Sequence, residues 1–265
     1  MNQKSFKWDA ELYQKSSRWQ FELGLIAIER LKPKDGENIL EIGCGNAMLT
    51  IEIAKKIPNG SITAIELSTD MISQANKNLL KFGINNVEIL RMNALDITYQ
   101  NKFDAVFSNS AIHWIINLEL MYELIYNALN DKGRMIIQTG LKELNVLFKA
   151  LYKISKLSKY KEYFNSIEFP WRFLSTKETK LILKKIGFKE INTEIYKFNR
   201  TFRDENELIN YSKAAALVPY LSVLPNELKN GFIDKFKEIM LELIPPNKLE
   251  LKMTRLFNQA IKRNN

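Results

Sequence analysis

The sequence predicts an α/β fold, a doubly wound sheet of seven mostly parallel strands carrying a helical cap. Three observations lead there. The apolar run Ile39-Leu40-Glu41-Ile42 breaks at Gly43 and Gly45, then restarts at helical spacing with Leu49, Ile53 and Ile57 four residues apart. A second apolar run, Ile62-Thr63-Ala64-Ile65, ends in Glu66, 23 residues beyond Gly43. Apolar runs and amphipathic runs then alternate as far as Gly140, as repeated βαβ units require.

The first unit carries chemistry. A strand feeding a helix through glycines lets backbone N–H groups approach a ligand with no Cβ in the way. An acid at Glu66 can accept both hydroxyl hydrogens of a ribose. Together they mark a nucleoside-binding βαβ unit, whereas the glycines alone would also suit an ordinary tight turn. A dinucleotide fingerprint would need a third glycine where Met48 stands, so that the helix packs beneath a pyrophosphate.

Each element follows in order. Residues 17–31 form an amphipathic helix, with Trp19, Leu23, Ala27 and Leu31 at i, i+4 spacing, Ser17 as N-cap and Pro33 as its stop. The polar stretch Leu12 to Gln20 is a tail, or a lid that orders over the bound ligand. Ser68 caps a helix from Thr69 to about Phe82, stopped by Gly83, and Glu88 to Met92 is the third strand. Asn93-Ala94-Leu95-Asp96 follows its carboxyl end, where open α/β sheets bind ligands. There the Asn93 side-chain carbonyl can accept from an adenine amine.

Phe103 to Ser108 is a doubly buried strand that runs into Asn109-Ser110-Ala111-Ile112-His113-Trp114-Ile115. A lone histidine there invites a general-base role, but an imidazole in an apolar segment serves as readily for packing and orientation. Leu118 to Leu129 is a helix stopped by Lys132-Gly133, and Arg134 to Thr139 is the fifth strand. Past Gly140 the pattern becomes helical, with the aromatic segment Phe164, Phe169, Trp171 and Phe173. A helix at 176–186 and strands at 188–202 and 251–261 return to the sheet. Residues 204–245 are helical, punctuated by Pro219, Pro225 and Pro245-Pro246. The division is therefore 1–140 with 176–202 and 248–265 as the sheet domain, and 141–175 with 203–247 as the cap.

Composition narrows the setting. The chain has 265 residues, 46% of them hydrophobic, which suffices for one sizeable core and a cap. Uninterrupted apolar runs of transmembrane length and a secretory h-region are both missing, which predicts no membrane association. One cysteine excludes an internal disulfide and fits a reducing, cytoplasmic compartment. One histidine and one cysteine are too few soft ligands for a structural zinc site, so no metal is expected. The net charge of +9 would suit RNA or an acidic carrier, but the lysines are dispersed and form no dense block with aromatics. Nucleic acid is not expected as a partner.

Glu41 followed by Gly43-Cys44-Gly45-Asn46-Ala47 resembles the E/D-x-G-x-G-x-G/A motif of the class I S-adenosylmethionine (SAM) methyltransferases. The segment 35–140 looks like the broad group that includes trans-aconitate, malonyl-carrier-protein and juvenile hormone acid methyltransferases. The resemblance implies a Rossmann-like sheet domain with SAM as cofactor. It implies cofactor contacts at Tyr13, Glu41, Gly43, Gly45, Asn46, Glu66, Leu67, Asn93, Ala94 and Asn109. Leu12-Tyr13-Gln14-Lys15-Ser16 with Gln20, and Ala111 to Ile115, resemble the juvenile hormone acid enzymes. In those, residues at the places of Gln20 and Trp114 hold the substrate carboxylate. Leu217-Val218-Pro219-Tyr220-Leu221 with Leu224-Pro225 is similar to the late cap segment of the trans-aconitate type.

The expectation is a SAM-dependent methyltransferase acting on the carboxylate of a small or carrier-bound acid. A carboxylate is ionised at neutral pH and needs alignment and exclusion of water rather than a base. Gln20 and Trp114 are then the acceptor-side residues, with His113 beside them. The alternative is RNA, protein or a carbon or nitrogen acceptor, which would make His113 a base. A non-enzymatic nucleotide-binding module is a third possibility.

Overall fold

The computed structural model describes residues 9–141, 146–165, 171–214, 216–245 and 248–263. The segment Met1 to Trp8, Phe169 and Pro246 lie outside the described residues.

The stretch read as a tail or lid is helical. Helix α1 (Ala10–Ser16) is capped by the Asp9 carboxylate, which accepts from the Leu12 amide at 2.8 Å. Helix α2 (Arg18–Leu31) follows directly. Ser17 stands at the joint without capping it through its side chain. Its backbone (φ −94°, ψ 16°) is far from the extended conformation that aims an N-cap hydroxyl back at the first turn, and its N–H is spent on Tyr13 O of α1.

The strands are β1 (Asn38–Ile42), β2 (Ser61–Glu66), β3 (Val87–Arg91), β4 (Phe103–Asn109), β5 (Leu129–Gly140), β6 (Lys189–Thr201) and β7 (Glu250–Ile261). They form one seven-stranded sheet in the order β3-β2-β1-β4-β5-β7-β6. Pairing is parallel from β3 across to β5, and β7 runs antiparallel to both its neighbours. The chain winds outward from β1 to β3 and then restarts on the other side of β1. This reversal opens a crevice at the carboxyl ends of β1 and β4.

Strand alternation places both faces of the sheet in the core. Ile39, Ala105 and Phe107 pack beneath α2 and α3 (Met48–Ala54). Leu40, Ile42, Val106 and Ile137 pack against α5 (Leu118–Ala128) and α8 (Thr176–Ile186) on the opposite face. Helix α4 (Thr69–Lys81) joins α3 through Ala75 and Leu79 against Ala47 and Ile51. Each such aliphatic side chain contributes about 1.5–3 kcal/mol of burial energy. Local signals set the helix ends. Ser68 Oγ accepts from the Met71 amide, Ser175 and Glu178 form a capping box, and Gly187 stops α8 at φ 110°.

One boundary differs from the sequence reading. Lys132-Gly133 does not stop a helix; α5 ends at Ala128 and Leu129 already belongs to β5. Lys132 takes a positive φ of 62° inside the strand, where pairing with β4 shifts register. A Cβ on Gly133 would meet Asn130 O at 2.8 Å, so the irregular step needs glycine.

Helices α6 (Val146–Ser155), α7 (Lys161–Phe164), α9 (Glu205–Ala214), α10 (Val218–Val223) and α11 (Asn226–Leu243) share their own apolar cluster around Leu151, Phe232, Phe236 and Met240. Trp171 and the β7 residues Leu251 and Met253 join it to the sheet. This arrangement roofs the crevice.

Candidate active site

Two adjoining cavities open at the carboxyl ends of β1 and β4, sharing Tyr13, Gln20, Gly43, Gly45 and Asn109 in their walls. The first, with an interior of about 240 Å³, runs from Glu66 on β2 beneath the cap to Arg255 on β7. The other lies between α2 and the glycine turn and is bordered by Glu41, Cys44, Asn46 and Arg18.

The glycine turn and Glu66 form one unit. Gly43 and Gly45 both take positive φ, 74° and 55°. A Cβ on Gly43 would meet Ala111 Cβ at 2.3 Å, whereas the space above Gly45 is open. The Gly45 amide donates to Glu66 Oε2 at 3.1 Å, and the Leu67 and Ser68 amides donate to Oε1 at 2.9 Å each. A carboxylate so held still has lone pairs to offer a ligand's hydroxyls.

Glu41 is 2% exposed, and burial pushes its carboxyl up to about 7, with the Thr50 hydroxyl opposing and the Glu66 charge adding. Among the described residues its Oε2 has no partner, nor do Gln20 Oε1 and Asn109 Oδ1, which border the same cavity. Three buried acceptors without a donor call for a ligand that donates. The Asn109 amide donates to Gln20 O at 3.0 Å, fastening α2 to the end of β4. Tyr13 lines both cavities, its hydroxyl pushed up to about 12 by burial and by the charge of Glu66.

The other sequence candidates divide between the two cavities. Leu67, Asn93 and Ala94 line the one beneath the cap. The Asn93 carbonyl offered to an adenine amine already accepts from the Leu95 amide at 3.0 Å, leaving its second lone pair. Asn46 borders the cavity of Glu41; its Oδ1 accepts from Met48 N within the turn and its backbone carbonyl from Asn78 Nδ2.

Gln20, His113 and Trp114, the expected acceptor-side residues, come together in the wall of the cavity beneath the cap, Gln20 from α2 and the other two from the 3₁₀ turn Ile112–Trp114 after β4. His113 is packed between Trp114 and Phe173 with ring centroids at 5.4 and 5.3 Å, and its Nδ1 meets Thr139 Oγ1 at 3.2 Å. Burial, reinforced by the positive charge of Arg255, lowers its pKa to about 3. The imidazole is therefore neutral at physiological pH and a weak base.

Tyr211 of α9, Phe148 of α6, Trp171, Phe173 and Arg255 also line the cavity, and sequence reasoning assigned none of them a site role. The aromatic segment was visible as a cluster. The signal for Arg255 was a charge in the middle of a strand that alternates with the core residues Met253 and Phe257. Among the described residues, no group of three or more His, Cys, Asp or Glu side chains is placed to hold a metal. No helix among them is long and apolar enough to cross a membrane.

A strand–glycine–helix turn locked to an acid, at the switch point of a doubly wound sheet, defines a nucleoside-binding α/β enzyme. Residues 33–199 match the methyltransferase domain model, and the chain belongs to that family. It is a SAM-dependent methyltransferase. Juvenile hormone acid O-methyltransferase of Bombyx mori is 25% identical over 247 residues, which span 89% of this chain and 87% of the relative. The Bacillus subtilis YcgJ protein superposes with a TM-score of 0.63 over 92% of this chain and 98% of its own, at 12% identity. Phosphoethanolamine N-methyltransferase 2 of Haemonchus contortus, solved with phosphomonomethylethanolamine and S-adenosylhomocysteine, superposes at 0.59. That match covers 92% of this chain and 53% of the other at 21% identity.

Proposed function

We propose that the enzyme transfers the SAM methyl group to the carboxylate of a small or carrier-bound acid. The observation that supports this most is the titration state of the acceptor end. Among the described lining residues, His113 stays neutral down to about pH 3 and Tyr13 keeps its proton up to about pH 12. Neither removes a proton near neutrality. A carboxylate arrives ionised and needs no base. The name of the Bombyx mori relative, an acid O-methyltransferase, points the same way.

The cavities fit the cofactor. Glu41 Oε2, Gln20 Oε1 and Asn109 Oδ1 are three acceptors for the three N–H donors of an α-ammonium. Glu66, held by three amides, would take the ribose hydroxyls, while Leu67, Asn93 and Ala94 would flank the base. When bound, SAM supplies a methyl group on an electrophilic sulfonium. Gln20 stands in both cavity walls, so the two ends of its amide can face cofactor and acceptor. With Trp114 it aligns the carboxylate without pairing it to a fixed charge, and the cap aromatics exclude water. A carboxylate lone pair held there would form the O–CH3 bond as the S–CH3 electron pair stays on sulfur. No proton changes hands.

The test is to incubate the enzyme with methyl-labelled SAM and a fractionated metabolite extract. Label should enter a product that releases it as methanol on mild alkali. Label confined to alkali-stable products, RNA or protein would overturn the reading.

A further inference from the structure

Two of the described residues lining the cavity beneath the cap bear formally charged side chains, Glu66 and Arg255. Both lie at the carboxyl edge of the parallel strands: Glu66 ends β2, and Arg255 of β7 pairs in register with Gly140, the last residue of β5. In the order β2-β1-β4-β5-β7 they are four strand positions apart, about 19 Å at about 4.8 Å per strand. A ribose on Glu66 therefore leaves room for a transferred methyl and a short acceptor before the guanidinium is reached.

Arg255 has no carboxylate partner among the described residues. One Nη makes a long 3.4 Å contact to Thr254 O, and Nε is buried without an acceptor among them. Arg200 of β6, close enough for the charge of Arg255 to act on it, is 3% exposed, its guanidinium 3.7 Å from the Tyr211 ring centroid and its Nε and Nη1 unpartnered among the described residues. The nearest acid acting on Arg200, Glu207, is committed to the backbone and side chain of Arg203. A guanidinium in the cavity wall whose Nε is buried and which has no carboxylate partner among the described residues, with a second, buried guanidinium close by, is costly unless a ligand brings the negative charge.

We propose that Arg255 anchors the acceptor by pairing with a second, non-reacting anionic group, a carboxylate or a phosphate. This deepens the carboxylate reading and rests on it. The reacting carboxylate is not the partner, for a physical reason. It loses its charge as the O–CH3 bond forms, so an Arg pair to it would hold the ground state more tightly than the transition state. A remote anion keeps its charge throughout, and binding it lowers KM without burdening kcat. Guanidinium geometry suits both carboxylate and phosphate oxygens.

The experiment uses labelled SAM with three matched series of acids of rising length: α,ω-dicarboxylates, ω-phosphono acids and unbranched monoacids. Binding of each to the S-adenosylhomocysteine-saturated enzyme is followed by calorimetry. At least one doubly anionic acid should be methylated with kcat/KM tenfold or more above the monoacid of equal length, and the better of the two series identifies the anion. Arg255→Gln should erase that preference through a ten- to hundredfold rise in KM with kcat little changed, and Arg255→Lys should retain part of it. Unchanged melting and cofactor affinity show that each variant is folded, and the wild-type panel decides independently of either. Monoacids methylated as well as doubly anionic acids would overturn the anchor and leave carboxyl transfer standing. Doubly anionic acids that bind through Arg255 but are never methylated would leave the anchor and sink carboxyl transfer. Neither binding nor turnover by any member would overturn both.

Discussion

The Gly45 amide donates to Glu66 Oε2 at 3.1 Å, joining the turn after β1 to the end of β2 across 21 residues. Together with the Leu67 and Ser68 amides it fixes the carboxylate before any ribose arrives. Glu66→Ala removes a charged acceptor for two hydroxyls and leaves three amides unpaired. SAM affinity should fall by about 1–3 kcal/mol. Calorimetry giving the same dissociation constant for variant and wild type would contradict that role.

Glu41 carries a pH signature. Its carboxyl is raised to about 7 by burial, and an ammonium placed against Oε2 would favour the charged form. SAM should therefore bind more tightly as pH rises from about 5 to 7, by up to about tenfold per unit, with release of a proton. Glu41→Gln should flatten the dependence. Calorimetry in two buffers of different ionisation enthalpy measures the proton directly. In the free protein the folded state binds this proton more tightly than the unfolded state. The Glu41 contribution to stability is thus lost as pH rises from about 4.5 to about 7, and Glu41→Gln should gain on wild type over that window.

His113 should be dispensable as a base. His113→Gln should keep substantial activity, and the wild-type pH–rate profile should show no limb near 6–7. A folded, SAM-binding His113→Gln enzyme without activity would show that a proton must be removed, and the acceptor would not be a free carboxylate. The stability sign is opposite to that of Glu41. The unfolded imidazole takes a proton at about 6.5 and the buried one only at about 3. Stability is therefore lost as pH falls through this window, by about 1.4 kcal/mol per unit. The variant should lack that slope in acid denaturation.

Gln20→Ala and Trp114→Phe should each lower kcat/KM by about 10- to 1,000-fold, or about 1.4–4 kcal/mol for a lost orienting contact. They should differ toward the cofactor. Trp114→Phe should leave SAM affinity intact, while Gln20→Ala should weaken it by about 1 kcal/mol because Gln20 Oε1 borders the cavity of Glu41. Equal SAM affinities for the two variants would place Gln20 wholly on the acceptor side.

Arg134 should matter for stability alone. Its guanidinium donates to both Glu37 oxygens at 2.7 and 2.8 Å and to the carbonyls of Leu31 and Lys32, clamping the end of α2 to β5. Lysine cannot reproduce the fork. Arg134→Lys should cost about 2–3 kcal/mol in urea unfolding and leave activity unchanged well below the melting temperature.

The nucleoside half of this enzyme was determined by the sequence itself. Gly43, Gly45 and Glu66 sit within one βαβ unit, and periodicity, glycine and an acid at fixed spacing are local properties that a chain displays before it folds. The same holds for Ser68, Gly83, Ser175 and Gly187, which cap and stop helices through bonds to their near neighbours. Only the tertiary structure decided the half proposed to hold the acceptor. Asn109 reaches the backbone of Gln20 across 89 residues, and Arg255 faces the cavity because β7 threads antiparallel between β5 and β6. Strand order depends on which hydrophobic faces pack together over the whole chain, and pairing of residues so far apart leaves no period in the sequence. Ser17 marks the same boundary. Its residue type announces a cap, but α1 ends on it: its N–H closes that helix on Tyr13 O, and its backbone stays out of the conformation a cap requires.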